Sequence, residues 1–322
     1  MHVQPVHFTK STSAAREDSG LDARRIVRSS LHFQDAQEQA HALSGWNQDY
    51  LQLSAGLFKG ELAQVEGTGI KLFVERVQQS VLQTGLLPPG VLALGVPLNA
   101  SGGGMFCGRA CDASSLHLFS GDSGFEFRTS RQHTMLGIEL QLSEDVQLPL
   151  QAGTLTHTIR PLAKIKTYVM DLYQSARRDP ALLSTPAVVA SVSDFLLDSL
   201  LRAPNAPGSQ QDATTSAHWA LVQRCVTLVN EAPDAAPTVT QLCAATGVSR
   251  RTLQNAFLRV LDMSPLAYIK AVRLKQAREA LKNARSVTDA ATACGFWHFG
   301  HFSQDYQAMF GERPSDTLRR QS

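Results

Sequence analysis

Two short stretches of the chain carry the side-chain types that can hydrogen-bond to nucleic-acid bases. The first begins with two adjacent arginines and continues with two amides. Its candidates are Arg250, Arg251, Gln254 and Asn255. Arginine matches the acceptor pair of guanine, and glutamine or asparagine matches the donor and acceptor of adenine. Near the start of a helix, these residue types predict contacts with base edges in a major groove.

The second stretch is more aromatic. Phe302, Tyr306 and Phe310 recur every four residues, so they are predicted to face a core together with Phe296. His298 is placed to cap the helix that follows. The side chains that could contact DNA in the groove, counting this capping histidine, are His298, Phe299, His301, Ser303, Gln304 and Gln307.

The first set of candidates is preceded by the signals of a helix-turn-helix. Thr238 and Gln241 have the spacing of a capping box, which predicts a short helix over 239–245. Gly247 permits a tight turn, and Ser249 suits the N-cap of the next helix. The residues predicted to face inward from that helix are Leu253, Phe257 and Leu261.

The second set is preceded by the same signals. Ser286 is predicted to cap a helix over 287–294, Gly295 to form the turn, and Gly311 to end the second helix. Between the units, Ser264-Pro265 predicts a helix that reaches Leu281. Its seventeen residues would span ~25 Å, which allows two recognition helices near one DNA turn, ~34 Å, apart.

Both units together, with Gly311 and Pro314-Ser315 after them, resemble the DNA-binding domain of AraC/XylS transcription regulators over residues 218–322. The resemblance implies a transcription regulator that binds double-stranded promoter DNA and works with RNA polymerase. It places base contacts on Arg251, Gln254, Asn255, His301 and Gln304. Gly300 departs from the family, which often has serine there, and this departure predicts the loss of a phosphate contact.

A further resemblance covers the run from Trp46 to Leu53 and the Gly56-x-Phe58-x-Gly60 that follows. Both are similar to the start of the ethanolamine-operon regulators within the family. This subgroup implies an activator of a catabolic operon whose N-terminal, cupin-like barrel senses a small effector and dimerises. Its effectors include ethanolamine acting with cobalamin, so an amine or amino alcohol is the expected ligand.

In the N-terminal two thirds of the chain, the spacing of apolar residues is mostly strand-like at first and helical later. Short apolar runs between glycine-containing turns predict strands of a small β-barrel or sandwich, and the barrel is the fold expected here. They are 57–65, 70–75, 91–98, 116–119, 125–128 and 135–142. Apolar residues at helical spacing predict helices over 30–45, 162–177 and 186–201. The expected fold class is therefore α+β, with this barrel and its helices followed by an all-α domain.

The domain boundaries follow from composition. Residues 1–25 are polar and are expected to form a flexible arm, and 203–217 contains two prolines, a glycine and few apolar residues, as linkers do. The predicted units are a sensing and dimerisation domain (1–202), a linker (203–217) and the DNA-binding domain (218–322). The stripe Val188–Val192–Phe195–Leu196–Leu200 is wide enough to need a partner, either the barrel or a second subunit. We expect a homodimer, because tethering two DNA-binding domains favours binding to paired half-sites.

Charge and composition fit this division. Residues 218–322 carry 13 Lys and Arg against 8 Asp and Glu, net +5, whereas residues 1–217 carry 17 against 20, net −3. The start of the chain lacks the apolar stretch of a signal peptide, and no run reaches the ~18 apolar residues of a membrane span. Five cysteines without a leader predict reduced thiols in the cytoplasm.

Other candidate sites are weaker. Cys107 and Cys111 have a loose spacing for a metal, and no four-ligand set accompanies them, so neither a metal nor another cofactor is predicted. No nucleophile with its base and acid and no phosphate-binding loop is visible, so the protein is not expected to be an enzyme. Trp46 could line a pocket, although such aromatics usually fill a core. The carboxylates that could pair with a ligand amine are Glu75, Glu126 and Glu139.

Two hypotheses remain for the N-terminal domain. It senses a small effector, or it only dimerises or binds a protein partner. A cavity in the barrel with a polar group pointing inward favours the first hypothesis, and a filled interior favours the second.

Overall fold

The computed structural model describes residues 27–100, 102–121, 123–142, 153–156, 160–202, 213–232 and 236–320. The expected arm at 1–25 lies outside these ranges. Within them, the chain forms an N-terminal part rich in strands and a C-terminal part made of helices. None of the described helices is both long and apolar enough to cross a membrane.

The strands of the N-terminal part are numbered in chain order. They are β1 Val27–Phe33, β2 Asn47–Gln52, β3 Gly60–Glu66, β4 Ile70–Val77, β5 Val81–Leu86, β6 Val91–Asn99, β7 Gly104–Phe106, β8 Arg109–Cys111, β9 Ser115–Ser120, β10 Phe125–Arg128, β11 His133–Gln141 and β12 Gly153–Thr156.

These strands form two open antiparallel sheets. One has the order β1-β3-β4-β11-β6-β9-β12 and the other the order β2-β5-β10-β7-β8. Among the described strands, no pairing joins the first strand of a sheet to its last, so the predicted closed barrel is wrong. The apolar runs marked β3, β4, β6, β9, β10 and β11 but missed β1, β2, β5, β7, β8 and β12. With these added, the two sheets cover each other's inner faces, and closure is not needed to bury them.

Aromatic residues fill the layer between the two sheets. Phe73 and Phe119 come from the seven-stranded sheet, and Phe106 and Phe127 come from the five-stranded sheet. The Phe106 and Phe119 rings meet edge to face with centroids 5.0 Å apart. Because neighbouring residues of a strand point to opposite faces, the residues between these aromatics face outward and need a second cover.

Two helices cover the outer face of the seven-stranded sheet. They are α2 (Arg160–Arg178) and α3 (Pro186–Leu201), linked by a short 3-10 helix over Pro180–Ser184. Both helices were predicted from their period. Val192, Leu196 and Leu200 of α3 are buried in the cluster that includes Leu94 and Leu136 of the sheet. The sheet therefore supplies a partner for the stripe of α3.

One predicted helix is shorter than its pattern indicated. The spacing over 30–45 predicted a short helix, and the chain forms β1 to Phe33 and then a helix, α1, over Ala36–Ala40. Asp35 begins α1 by accepting hydrogen bonds from the backbone N–H groups of Gln37 and Glu38. Residues 27–33 pair along their whole length with β3. This pairing outweighs the helical spacing of the apolar residues.

The C-terminal part consists of helices. They are α4 Ala213–Asn230, α5 Val239–Thr246, α6 Arg250–Leu261, α7 Pro265–Leu281, α8 Val287–Ala293, α9 Phe299–Phe310 and α10 Pro314–Arg319. The last five residues of the predicted linker belong to α4. Leu51 and Leu82 of the five-stranded sheet, with Leu53 just after β2, share a buried cluster with α4, α6 and α7. The helical part thus packs on the face of that sheet opposite the aromatic layer.

Candidate nucleic-acid interface

Helices α5 and α6 form the first helix-turn-helix. Thr238 and Gln241 make the predicted capping box, and Gly247 ends α5 in the left-handed conformation with φ 71°. The Ser249 hydroxyl accepts a hydrogen bond from the Thr252 backbone N–H, which fixes the first turn of α6. The face of α6 that holds it in place consists of Leu253, Ala256, Phe257, Val260 and Leu261, all buried.

The opposite face of α6 carries the predicted base-reading residues. Arg250, Arg251 and Asn255 are exposed, and Gln254 is half-buried. A helix with one apolar face buried and two arginines at its exposed start can enter a major groove without losing its own packing.

Helices α8 and α9 form the second unit. The Ser286 hydroxyl accepts from the Asp289 backbone N–H and begins α8, and Gly295 forms the turn with φ 76°. His298 occupies the predicted N-cap of α9, but its side chain makes no capping hydrogen bond. Phe302, Tyr306 and Phe310 are buried as predicted, whereas Phe296 is half-buried.

The remaining candidates of the second unit lie on the surface of α9. Phe299, His301 and Gln304 are exposed, and Ser303 is half-buried. Sequence reasoning did not select Trp297, whose side chain is 71% exposed in the turn just before α9. Trp297 falls outside the period of Phe302, Tyr306 and Phe310, and that was the signal that could have placed it on the surface.

The connecting helix α7 contributes to the cores of both units. Tyr268 and Ile269 near its start are buried with α6, and Leu274, Ala277 and Leu281 near its end are buried with α8 and α9. Lys270 of α7 also pairs with Asp305 of α9 at 3.0 Å. The two recognition helices are therefore held on one helix of seventeen residues.

The helical part is tied to the strands by a buried ion-pair cluster, which sequence reasoning also missed. Arg278 of α7 places Nε 2.6 Å from Asp35 Oδ2 and Nη2 3.1 Å from Glu312 Oε1. Burial raises the pKa of Asp35, but Arg278, Lys282 and two backbone N–H groups outweigh it, so the pKa is lowered. These residues are far apart in sequence, so no local pattern could join them.

The candidate effector residues lie on both sides of the five-stranded sheet. Glu75 and Glu139 lie between the two sheets, and Glu126 faces the helical part. Glu75 accepts hydrogen bonds from the Tyr50 hydroxyl (2.7 Å) and from the side-chain amides of Gln39 and Gln83. Burial raises the pKa of Glu75, and the three donors oppose that rise. This carboxylate therefore already has donors within the chain.

Glu139 and Trp46 are partners of each other. The Trp46 indole N–H donates to Glu139 at 2.6 Å, and Lys71 pairs with the same carboxylate at 3.1 Å. The Trp46 ring packs against Phe73, Phe119 and Phe125. Trp46 is part of the aromatic layer, in keeping with the core role weighed for it.

Glu126 faces the helical part instead of the aromatic layer. Its carboxylate accepts a hydrogen bond from the Gln223 amide of α4. Burial raises the pKa of Glu126, and the Gln223 hydrogen bond opposes that rise. The structure therefore does not bring the three carboxylates together around one site.

The two cysteines weighed as a metal pair are held as neutral thiols. Cys111 is buried and Cys107 is half-buried. Burial raises the pKa of Cys111 to about 12 and that of Cys107 to about 11. A thiol binds a metal as its thiolate, which this burial disfavours.

Comparisons with known proteins match the helical part. The model of a helix-turn-helix domain family matches residues 242–320. A XylDLEGF operon transcriptional activator of Pseudomonas putida is 40% identical over 77 residues, or 23% of this chain and 24% of the relative. A probable thc operon regulatory protein of Rhodococcus erythropolis is 38% identical over 86 residues, or 26% of each chain.

Among solved structures, a probable AraC family transcriptional regulator from Rhodopseudomonas palustris CGA009 is similar to this chain. It is 39% identical, with a TM-score of 0.30, and the match covers 32% of this chain and 97% of that one. The chain spans about a quarter of the length of the curated relatives it matches. The comparisons therefore bear on the helical part.

Proposed function

We propose that the protein is a sequence-specific DNA-binding transcription regulator of the AraC type, a proposal supported by the match of a helix-turn-helix domain model to residues 242–320. The observation that carries this proposal is the pair of recognition helices, α6 and α9. Both are held on α7, and both expose the side chains predicted to read bases. The proposed partner is double-stranded promoter DNA, and activation would proceed through contact with RNA polymerase in the cytoplasm.

Selection from a random duplex library with the full-length protein tests this proposal. We expect a bipartite site whose two parts lie about one helical turn apart on one face of the duplex. Footprinting should then protect both parts. Enrichment of no sequence, with equal affinity for all duplexes at fixed salt, would contradict sequence-specific binding.

The type of operon is a finer proposal. Two of the relatives carry names that attach them to operons, one as a transcriptional activator and one as a regulatory protein. We propose an activator of a catabolic operon on this support and on the resemblance to ethanolamine-operon regulators. Transcription from a reporter placed behind the selected site should rise when the protein is expressed, and a fall would identify a repressor instead.

We propose two roles for the N-terminal part: it senses a small effector, or it only dimerises or binds a protein partner. The layer between the sheets is filled by aromatic side chains, and Glu75 and Glu139 already accept hydrogen bonds from the chain itself. These observations favour the alternative, in which the domain dimerises or binds a protein partner. An amine or amino alcohol effector would have to displace Tyr50 or Lys71 from its carboxylate.

A thermal-shift screen of the full chain against amines, amino alcohols and cobalamin separates the two roles, because a ligand of the native state raises its stability. A rise that Glu75→Gln or Glu139→Gln abolishes supports sensing at that carboxylate. No rise with any compound supports the alternative.

The proposed homodimer rests on the surface left around α3. Val188, Val189 and Phe195 are half-buried, and Leu201 at the end of α3 is exposed. We propose that a second copy covers this edge. Sedimentation of the full chain at micromolar concentration should give a dimer that Leu201→Asp weakens. A monomer at that concentration would contradict the proposal.

A further inference from the structure

Two large aromatic side chains lie on the surface at the start of the second recognition helix. Trp297 is 71% exposed in the turn, and Phe299, the first residue of α9, is 41% exposed. Exposed large apolar groups next to each other mark surfaces that become covered by a partner. Their place beside His301 and Gln304 makes them continuous with the proposed DNA interface.

The core of the second unit is complete without these two side chains. Phe302 packs against Phe296 and Tyr306 with ring centroids 4.8 and 5.6 Å apart, and Tyr306 packs against Phe310 at 4.7 Å. This row of four rings fills the space beneath α9. Packing within the unit therefore gives no reason for an aromatic residue at position 297 or 299.

Gly300 provides an independent observation at the same place. It is the second residue of α9 and is exposed, and a Cβ added to it would meet no atom within 4 Å. Its φ lies outside the left-handed region, because Gly300 is not among the positive-φ glycines of the described chain. Glycine in a helix costs roughly 1 kcal/mol relative to alanine, yet neither the fold nor the backbone requires it here. A glycine placed this way allows a ligand to approach the helix backbone closely.

The charge of this stretch limits what it can recognise. Residues 297–304 contain no Lys, Arg, Asp or Glu, whereas α6 begins with Arg250 and Arg251. Bidentate arginine contacts to guanine are therefore not possible from the first turn of α9. The base feature that an apolar side chain reads in the major groove is the 5-methyl group of thymine.

We propose that the second recognition helix selects its part of the DNA site through thymine methyl groups, which Phe299 contacts in the groove and Trp297 covers at its edge, with Gly300 leaving room for the duplex. This inference rests on the proposed function, since it names the DNA chemistry that the same interface recognises. The half-site read by α6 would differ, because its arginines and amides read hydrogen-bonding edges.

Replacement of thymine by deoxyuridine tests the inference, because it removes the methyl group and keeps every hydrogen-bonding atom. In the site selected by the full-length protein, each thymine is replaced in turn and the Kd is measured at fixed salt. We expect one or two positions in the α9 half to lose affinity about threefold to fivefold, the factor for removing one buried methyl group. Deoxyuridine in the α6 half is the matched DNA control.

Protein variants then assign the methyl contact. With Phe299→Ala, the affinity for the unmodified site should fall, and the further loss caused by deoxyuridine should disappear. Arg251→Ala is the matched protein control, and its complex should keep the full deoxyuridine effect. Gly300→Ala should weaken DNA binding while leaving the domain at least as stable in urea, since the added methyl group enters only the space proposed for DNA.

The outcomes are distinct. Unchanged affinity with deoxyuridine at every thymine of the α9 half, or an equal deoxyuridine loss with and without Phe299, overturns the thymine reading and leaves sequence-specific binding intact. Selection that enriches no DNA overturns the proposed function and this inference with it. The measurements on unmodified protein do not depend on whether any variant folds.

Discussion

The two helix-turn-helix units share a backbone design but show different chemistry to the groove. Each has a first helix capped by a hydroxyl side chain, Thr238 or Ser286, and a left-handed glycine turn, with φ 71° at Gly247 and 76° at Gly295. Recognition helix α6 starts with two exposed arginines after a serine cap, whereas α9 starts with an exposed phenylalanine after a histidine that makes no capping bond. The turn and the buried face fix the fold, so the exposed face is free to carry either kind of readout.

The units also differ in how they are fastened to the strands. The second unit is joined through Arg278, which lies in a buried cluster with Asp35 and Glu312 and above the Phe310 ring at 4.5 Å. The first unit is joined by hydrogen bonds. Arg128 of β10 donates to the Val260 carbonyl of α6 at 2.8 Å, and Gln223 of α4, which packs on α6, donates to the carboxylate of Glu126. An ionic network holds one unit, and hydrogen bonds beside an apolar cluster hold the other.

The largest expected effect is a loss of stability when the contacts that join each unit to the strands are removed. Arg278→Ala leaves two carboxylates in a buried site without their shared cation, so the free energy of unfolding should fall by ~3–5 kcal/mol. Gln223→Ala removes one partner of a buried carboxylate and should cost ~1–3 kcal/mol. Urea denaturation of the full chain measures both, and equal losses would contradict the proposed asymmetry.

The next largest expected effect is a pH dependence of stability that comes from the two buried histidines between the sheets. Burial, with a smaller contribution from His133, lowers the pKa of His117 to about 3, and burial lowers that of His133 to about 4. The unfolded chain takes up protons near pH 6.5, while the native chain stays neutral at these positions. Their contribution to stability is thus complete above pH 6.5 and is lost as the pH falls toward 4 and then 3.

At pH 5 this difference amounts to ~2 kcal/mol for each buried histidine, at about 1.4 kcal/mol per pH unit. His117→Leu should therefore remove about half of the loss of stability between pH 7 and pH 5. An unaltered slope in His117→Leu would show that its ring is solvated in the native chain.

A third prediction compares the two readouts directly. Arg251→Ala should lower the affinity for the selected site by ~1–3 kcal/mol if it contacts a base, with the loss confined to specific DNA. His301→Ala and Gln304→Ala should weaken recognition of the other half-site by a smaller factor, since neither side chain offers a charged bidentate contact. Binding to selected and scrambled duplexes at fixed salt measures each loss. Equal losses on both duplexes would assign these residues to phosphate contacts.

Local patterns predicted the helical part well and the strands less well. Pro265–Leu281, Pro186–Leu201 and Phe125–Arg128 have the predicted bounds, because caps and period alone determine them. Strand β1 was missed because its identity comes from pairing with β3, which a helical spacing of apolar residues concealed. For the same reason the barrel could not be told from two stacked sheets, since closure depends on which strands pair and not on their composition.

The candidate interface shows the same division between local and distant information. The exposed residues of α6 and α9 follow from the buried period of each helix, and the structure leaves them on the surface. The cluster around Arg278 joins residues more than 200 positions apart, so it required the fold. The three carboxylates were singled out by their place within apolar runs, which does not reveal that Tyr50, Lys71 and Gln223 already bind them.

The smallest expected effect tests the difference in capping between the two recognition helices. The Ser249 hydroxyl accepts the Thr252 backbone N–H at 3.1 Å, so Ser249→Ala should cost ~1 kcal/mol of stability. His298 makes no such bond, so His298→Ala should cost little, and His298→Ser should stabilise the domain by up to ~1 kcal/mol. Urea denaturation of the three variants gives the ranking. A loss of stability in His298→Ala as large as that in Ser249→Ala would mean that the histidine stabilises α9 by another contact. The contrast between a capped and an uncapped recognition helix would then be wrong.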